Sequence, residues 1–145
     1  MKLYLDMCCL KRPFDDQNDA RIQLETLALA TVLQLCRSQQ QEMVASDPLR
    51  FENSRNPNNQ CREFADAILR LAIHDVANSP AIEQRAAVWQ NVRVPLLDAL
   101  HLASAEQAGA DVFCTCDDVL LNAARRLPTT VRVLGLLDLF RELVP

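Results

Sequence analysis

The chain has 145 residues, 15 Lys plus Arg against 19 Asp plus Glu, and a formal net charge of -4. Its length and 50% hydrophobic content fit one domain, residues 1–145, and the acidic balance excludes a protein that coats nucleic acid by bulk charge. The only two glycines, Gly109 and Gly135, exclude a Walker A loop and a dinucleotide fingerprint, but not a site that handles phosphates through metal ions.

Lys2 and Lys11 are the only lysines, so a Schiff-base lysine or the late lysine of a phosphoryl-transfer receiver is missing. Asp6 interrupts the apolar start, which leaves no signal-peptide core. The longest uncharged apolar stretch, 26–36, is too short to span a bilayer. A soluble cytoplasmic protein with no membrane association is expected, with its six cysteines held as reduced thiols. No CxxC pair occurs, which argues against a zinc finger.

In chain order, Lys2-Leu3-Tyr4-Leu5 is a short apolar run ending at Asp6 and reads as a buried parallel strand. Residues 7–18 contain Pro13 and several turn formers and read as a loop. Asn18 or Asp19 caps a helix to about residue 39, with Ile22, Leu24, Leu27, Leu29, Val32, Leu33 and Leu35 as a broad apolar set. Residues 43–45 form a second strand. Ser46-Asp47-Pro48 starts a helix, with Asp47 read as its cap. The polar stretch 53–59 holds Pro57 and breaks the chain. Helices follow over about 60–74, 81–91 and 95–108, the last stopped by Gly109. Residues 111–114 form a third strand, 117–127 a helix, 131–134 a fourth strand and 137–144 a last helix. Trp89 reads as core. Short apolar strands separated by helices predict a three-layer α/β/α sandwich around a central parallel sheet. Such sheets bind ligands at the carboxyl ends of their strands.

Four acids fall at those ends. Asp6 follows the first strand, Glu52 lies in the helix after the second, Asp98 in the first turn of the helix beginning near Pro95, and Asp117 after the third strand. Each alone has a plainer reading: a turn residue, an exposed helical acid, a helix-dipole acid, a cap. Asp118 is an alternative to Asp117, one of the two being the cap. Jointly the four point to Mg²⁺ or Mn²⁺, hard cations that suit clustered carboxylates. An Asp-x-Asp phosphatase is argued against by Cys8, which stands two residues after Asp6.

The segments Leu3-Tyr4-Leu5-Asp6, Val44-Ala45-Ser46 with Glu52, Asp98-Ala99-Leu100-His101-Leu102-Ala103 and Thr115-Cys116-Asp117 resemble the PIN-domain family, in particular its small prokaryotic VapC-type members, over nearly the whole chain. The resemblance implies a PIN-like α/β/α fold and Mg²⁺- or Mn²⁺-dependent cleavage of RNA. It places the catalytic, metal-binding acids on Asp6, Glu52, Asp98 and Asp117. It also implies a possible toxin role with an antitoxin partner, and a homodimer, to which the very apolar helix from Leu27 to Leu35 also points. The competing function is a catalytically weak PIN-fold protein that acts as a protein- or RNA-binding module.

Lesser signals surround these. His101 shares a helix face with Asp98, and a structural histidine near the site is preferred over a catalytic or RNA-contacting one. Ser46 and Thr115 read equally well as caps or as residues that orient an acid. Arg12, Arg21, Arg50 and Arg55 are candidates for RNA phosphate contacts, with Arg21–Glu25 read alternatively as a surface pair. Cys8, Cys9, Cys114 and Cys116 border the acids if the first and third strands are neighbours. Isolated thiols are the plainer reading, and a redox-sensitive disulfide or a soft-metal site the sharper one.

Overall fold

A computed structural model describes residues 1–145. Five strands make one parallel sheet: β1 (Lys2–Leu5), β2 (Glu42–Ser46), β3 (His74–Val76), β4 (Val112–Cys114) and β5 (Arg132–Leu134), in the order β3-β2-β1-β4-β5. Register pairs Leu3 with Met43 on one side of β1 and with Val112 on the other. The chain winds outward from β1 through β2 to β3. It then returns to the opposite side of β1 and continues to β5. A crevice opens where the winding direction reverses, between β1 and β4, at the carboxyl ends of the strands.

Eight α-helices complete the sandwich: α1 (Met7–Leu10), α2 (Ala20–Arg37), α3 (Asp47–Ser54), α4 (Asn59–Leu69), α5 (Pro80–Gln90), α6 (Leu96–Gln107), α7 (Asp118–Ala124) and α8 (Leu136–Leu143). α2 packs on α8, and α5 on α6. Side-chain caps fix most starts: Asp19 accepts from the N–H groups of Arg21 and Ile22, Asn58 from Cys61, and Ser79 from Ile82. Gly109 ends α6 with φ +67, a left-handed conformation that a side chain would strain. The core is one cluster of 35 buried residues running from Leu3 and Leu5 through Phe113 to Trp89, whose ring is 1% exposed.

The structure corrects several sequence readings. Residues 7–10 are a helical turn and Arg12–Phe14 a 3-10 turn, rather than an open loop. The helix expected over 60–74 ends at Leu69, and His74–Val76 is an edge strand. Ser46, not Asp47, caps α3, its hydroxyl accepting from Leu49 N–H. On α2, Leu24 and Leu27 are 55% and 62% exposed, while Glu25 is buried.

Candidate active site

Asp6 ends β1 and caps α1, so its position is fixed twice. It is 5% exposed. One carboxylate oxygen accepts from Met7 N–H at 2.8 Å, the other from the Thr115 hydroxyl at 2.9 Å and the Cys8 thiol at 3.3 Å. Thr115 follows β4, and its oxygen also accepts from Asp117 N–H at 3.1 Å. One hydroxyl therefore ties the end of β1 to the end of β4 across the crevice.

Glu52, on α3, reaches the same place. Its carboxylate is 2.8 Å from His101 Nε2, which lies 4.0 Å from the Asp6 carboxylate. Single ligand atoms of Asp6, Glu52 and His101 lie within 4.8 Å of one another. Asp98 opens α6 one turn before His101, and its carboxyl feels the charges of His101, Asp117 and Glu52. Asp117 caps α7, one oxygen accepting from Val119 and Leu120 N–H groups at 2.9 and 3.1 Å. Asp118 instead faces Arg21 in a bidentate pair at 2.7 and 2.8 Å. Of these two adjacent acids, the cap is Asp117, the one that joins the crevice.

None of the four acids is paired with Lys or Arg; the basic group beside Asp6 and Glu52 is the His101 imidazole. Burial holds the Asp6 carboxyl well above the usual carboxylate range, Cys8 and Glu52 adding to the rise while the Thr115 hydroxyl opposes it. Burial also raises Asp98; His101 opposes this, and Asp117 and Glu52 reinforce it. A buried Asp6, half-buried Glu52 and Asp98 and an exposed Asp117, none of them paired with Lys or Arg, are a donor set a hard divalent ion fits.

Behind Glu52 runs a buried chain of hydrogen bonds. His101 Nδ1 is 2.7 Å from the Tyr4 hydroxyl, which is 2.6 Å from the Ser46 hydroxyl. An ionised Glu52 only accepts, so Nε2 carries the proton. In the neutral ring Nδ1 then accepts from Tyr4, and the Tyr4 oxygen accepts from Ser46. His101 is thus a positioning residue for Glu52, in line with its structural reading. Tyr4 was missed as a functional residue. It stands on a strand that reads as apolar throughout, and its one signal is that it shares strand parity with Asp6.

The arginines answer mostly to carboxylates. Arg12 and Arg21 both hold Glu25, at 3.1 and 2.5 Å, so the Glu25 carboxylate is buried beneath a half-exposed Arg21 rather than lying at the surface. Arg50 is bonded to Asp75, and Arg55 lies over the Phe51 ring at 5.6 Å.

A family model for the PIN domain matches residues 3–126. The chain belongs to the PIN-domain family. No curated protein matches it significantly. Among solved structures, this PIN protein is similar to VapBC2 from Rickettsia felis bound to a DNA fragment from their promoter, with TM-score 0.62, 12% identity, 93% of this chain and 98% of that one covered. It is also similar to PAE2754 from Pyrobaculum aerophilum, with TM-score 0.53, 15% identity and coverage of 99% and 98%. These likenesses are of fold. No helix of the chain is long and apolar enough to cross a membrane.

Proposed function

We propose that this PIN protein is a metal-dependent endoribonuclease of the VapC type that hydrolyses RNA phosphodiester bonds. The observation that carries the reading is the meeting of Asp6 and Glu52 with His101 at the sheet's switch point, unpaired with Lys or Arg, with Asp98 close enough to feel the charges of Glu52 and Asp117. Asp6, Glu52, Asp98 and Asp117 would hold Mg²⁺ or Mn²⁺. The chemistry such an ion supplies when bound is acidification of water and neutralisation of charge developing on the phosphate. Asp6 is immobilised by Met7 N–H and Thr115, and Glu52 by His101, so neither carboxylate needs to reorganise. Asp98 and Asp117 are the more open pair, on the side from which a phosphodiester enters.

An antitoxin partner belongs to the same reading. An apolar groove lined by Pro48, Phe51, Leu96, Leu97 and Leu100 adjoins the acids, since Phe51 and Leu97 directly precede Glu52 and Asp98. A segment of such a partner seated there would cross the mouth of the site. Homodimer formation through α2 also belongs to it, supported by the exposed Leu24 and Leu27.

The test is cleavage of RNA by purified protein with Mg²⁺ or Mn²⁺. Wild type should cleave, EDTA should stop it, and Asp98→Asn should be inert while remaining folded. Cleavage that survives EDTA, or that Asp98→Asn retains, overturns the proposal.

A further inference from the structure

Three thiols beside the acids have no part in that chemistry. Cys8 and Cys9 lie in α1 and Cys116 just after β4, so the switch point that gathers carboxylates also gathers sulfur. The Sγ atoms of Cys8, Cys9 and Cys116 all lie within 4.8 Å of one another, and those of Cys9 and Cys116 are 3.6 Å apart. All are free cysteines; Cys9 is buried, and Cys8 and Cys116 are half-buried. The Cys114 sulfur is 3.9 Å from that of Cys9, on the strand beneath.

The spacing has a chemical meaning. A tetrahedral ion with Zn–S bonds of about 2.3 Å sets its sulfurs about 3.8 Å apart. The Cys9–Cys116 separation is already close to that edge, and Cys8 completes a triangle that small side-chain rotations can close. We propose that Cys8, Cys9 and Cys116 form a binding site for a thiophilic divalent cation of the zinc type, distinct from the acidic site and specific to the sulfur donors.

Binding releases the three thiol protons to solvent and leaves three Zn–thiolate bonds, with water in the fourth position. The resulting charge of minus one lies near the Arg12 guanidinium, which also pairs with Asp15 and Glu25. Backbone geometry also holds one sulfur in place: Cys116 N–H donates to Cys8 Sγ at 3.2 Å. Donor chemistry keeps the two sites apart, because thiolates select soft or borderline ions and carboxylates select Mg²⁺ or Mn²⁺. The sites still touch, since Cys8 Sγ is 3.3 Å from both Asp6 and Thr115 oxygens. An ion on Cys8 removes the thiol hydrogen that Asp6 accepts.

The proposal does not depend on nuclease activity, and its test reads sulfur directly. Reduced protein is titrated with Co²⁺ in a non-thiol reductant, and the thiolate-to-cobalt charge-transfer absorption is followed. Wild type should saturate at one ion per chain with the intensity of three thiolates. Zn²⁺ should displace the band, excess Mg²⁺ should not, and Asp98→Asn should leave it unchanged. Loss of a partner behind a ligand already weakens a metal site about 10–100-fold, so Cys116→Ser and Cys8→Ser, which remove a ligand itself, should weaken Co²⁺ binding by about 100-fold or more. Each should also lower the thiolate intensity from three to two. Because Cys8 and Cys116 are only half-buried, at least one serine variant should fold, as circular dichroism will show. No charge-transfer band in wild type, or a band that a folded serine variant leaves intact, overturns the site.

Discussion

His101 is wholly buried, and both of its ring nitrogens are bonded, to Tyr4 on one side and Glu52 on the other. Tyr4→Phe isolates that arrangement. It keeps the ring stacked on Phe113, with centroids 5.4 Å apart, and deletes only the hydroxyl. His101 Nδ1 then has no donor and the Ser46 hydroxyl no acceptor, so urea denaturation should show a loss of about 1–3 kcal/mol. With the imidazole less firmly held, Glu52 loses its fixed position, and RNA cleavage should fall about 10–100-fold with substrate affinity little changed. Unaltered cleavage would mean that the Tyr4–His101 bond does not position Glu52. At this scale the carboxylates at the strand ends were legible as candidates, and the side chains that support Asp6 and Glu52 were not. Asp6, Asp98 and Asp117 announce themselves because a carboxylate directly after an apolar strand, or opening an apolar helix, is out of place. Tyr4 does not, because a tyrosine in a strand is ordinary. Glu25 misled for a related reason: helix spacing pairs it with Arg21, but only the fold brings Arg12 and shows that the carboxylate is buried.

Helix starts carry part of the site, and α7 shows how cap and acid are combined. One oxygen of Asp117 accepts the N–H groups of Val119 and Leu120, leaving the other outside the cap. Asp117→Asn retains a capping oxygen, so its stability in EDTA should match wild type, while its stabilisation by Mg²⁺ should be largely lost. Asp117→Ala should lose both, with a further cost of about 1 kcal/mol for the missing cap. Thermal melts of the two variants with and without Mg²⁺ separate the roles, and equal Mg²⁺ stabilisation of Asp117→Asn and wild type would leave Asp117 as a cap alone. Most helices were readable because Asp19, Ser79, Pro95 and Gly109 punctuate them. β3 was not. It is a three-residue edge strand carrying His74 and Asp75, and without apolar alternation it merges with the preceding helix pattern. α1 was hidden because a single turn has no period, and the turn-forming residues that follow it dominate the window.

For the whole molecule, the unneutralised acids make stability depend on metal and on pH. Burial raises the Asp6 and Asp98 carboxyls in the folded state above their unfolded values. Between the unfolded and folded values the folded protein binds more protons than the unfolded chain, so stability falls as pH rises. In EDTA the melting temperature should therefore fall as pH rises above the unfolded aspartate value of about 3.9, and Asp98→Asn should show a shallower fall and melt no lower than wild type at the upper end. Mg²⁺ at about 100 times its dissociation constant adds about 2.7 kcal/mol, or roughly 5–10 °C for a chain of this size, to wild type but far less to Asp98→Asn. Asp118→Asn, which breaks only the exposed pair with Arg21, should keep the wild-type response to Mg²⁺. A wild-type melt indifferent to Mg²⁺ would remove the acids as a metal site. The sheet order has a consequence in time as well. The first strand to be synthesised is the central one, and the hydroxyl that anchors Asp6 arrives 109 residues later with Thr115. Contacts of such sequence separation form late, because a long loop must close before they stabilise anything. Until β4 has left the ribosome, β1 is paired only with β2, and the crevice on its other side does not exist. On the proposed nuclease reading, the site is complete only late in synthesis, after most of the message has been translated.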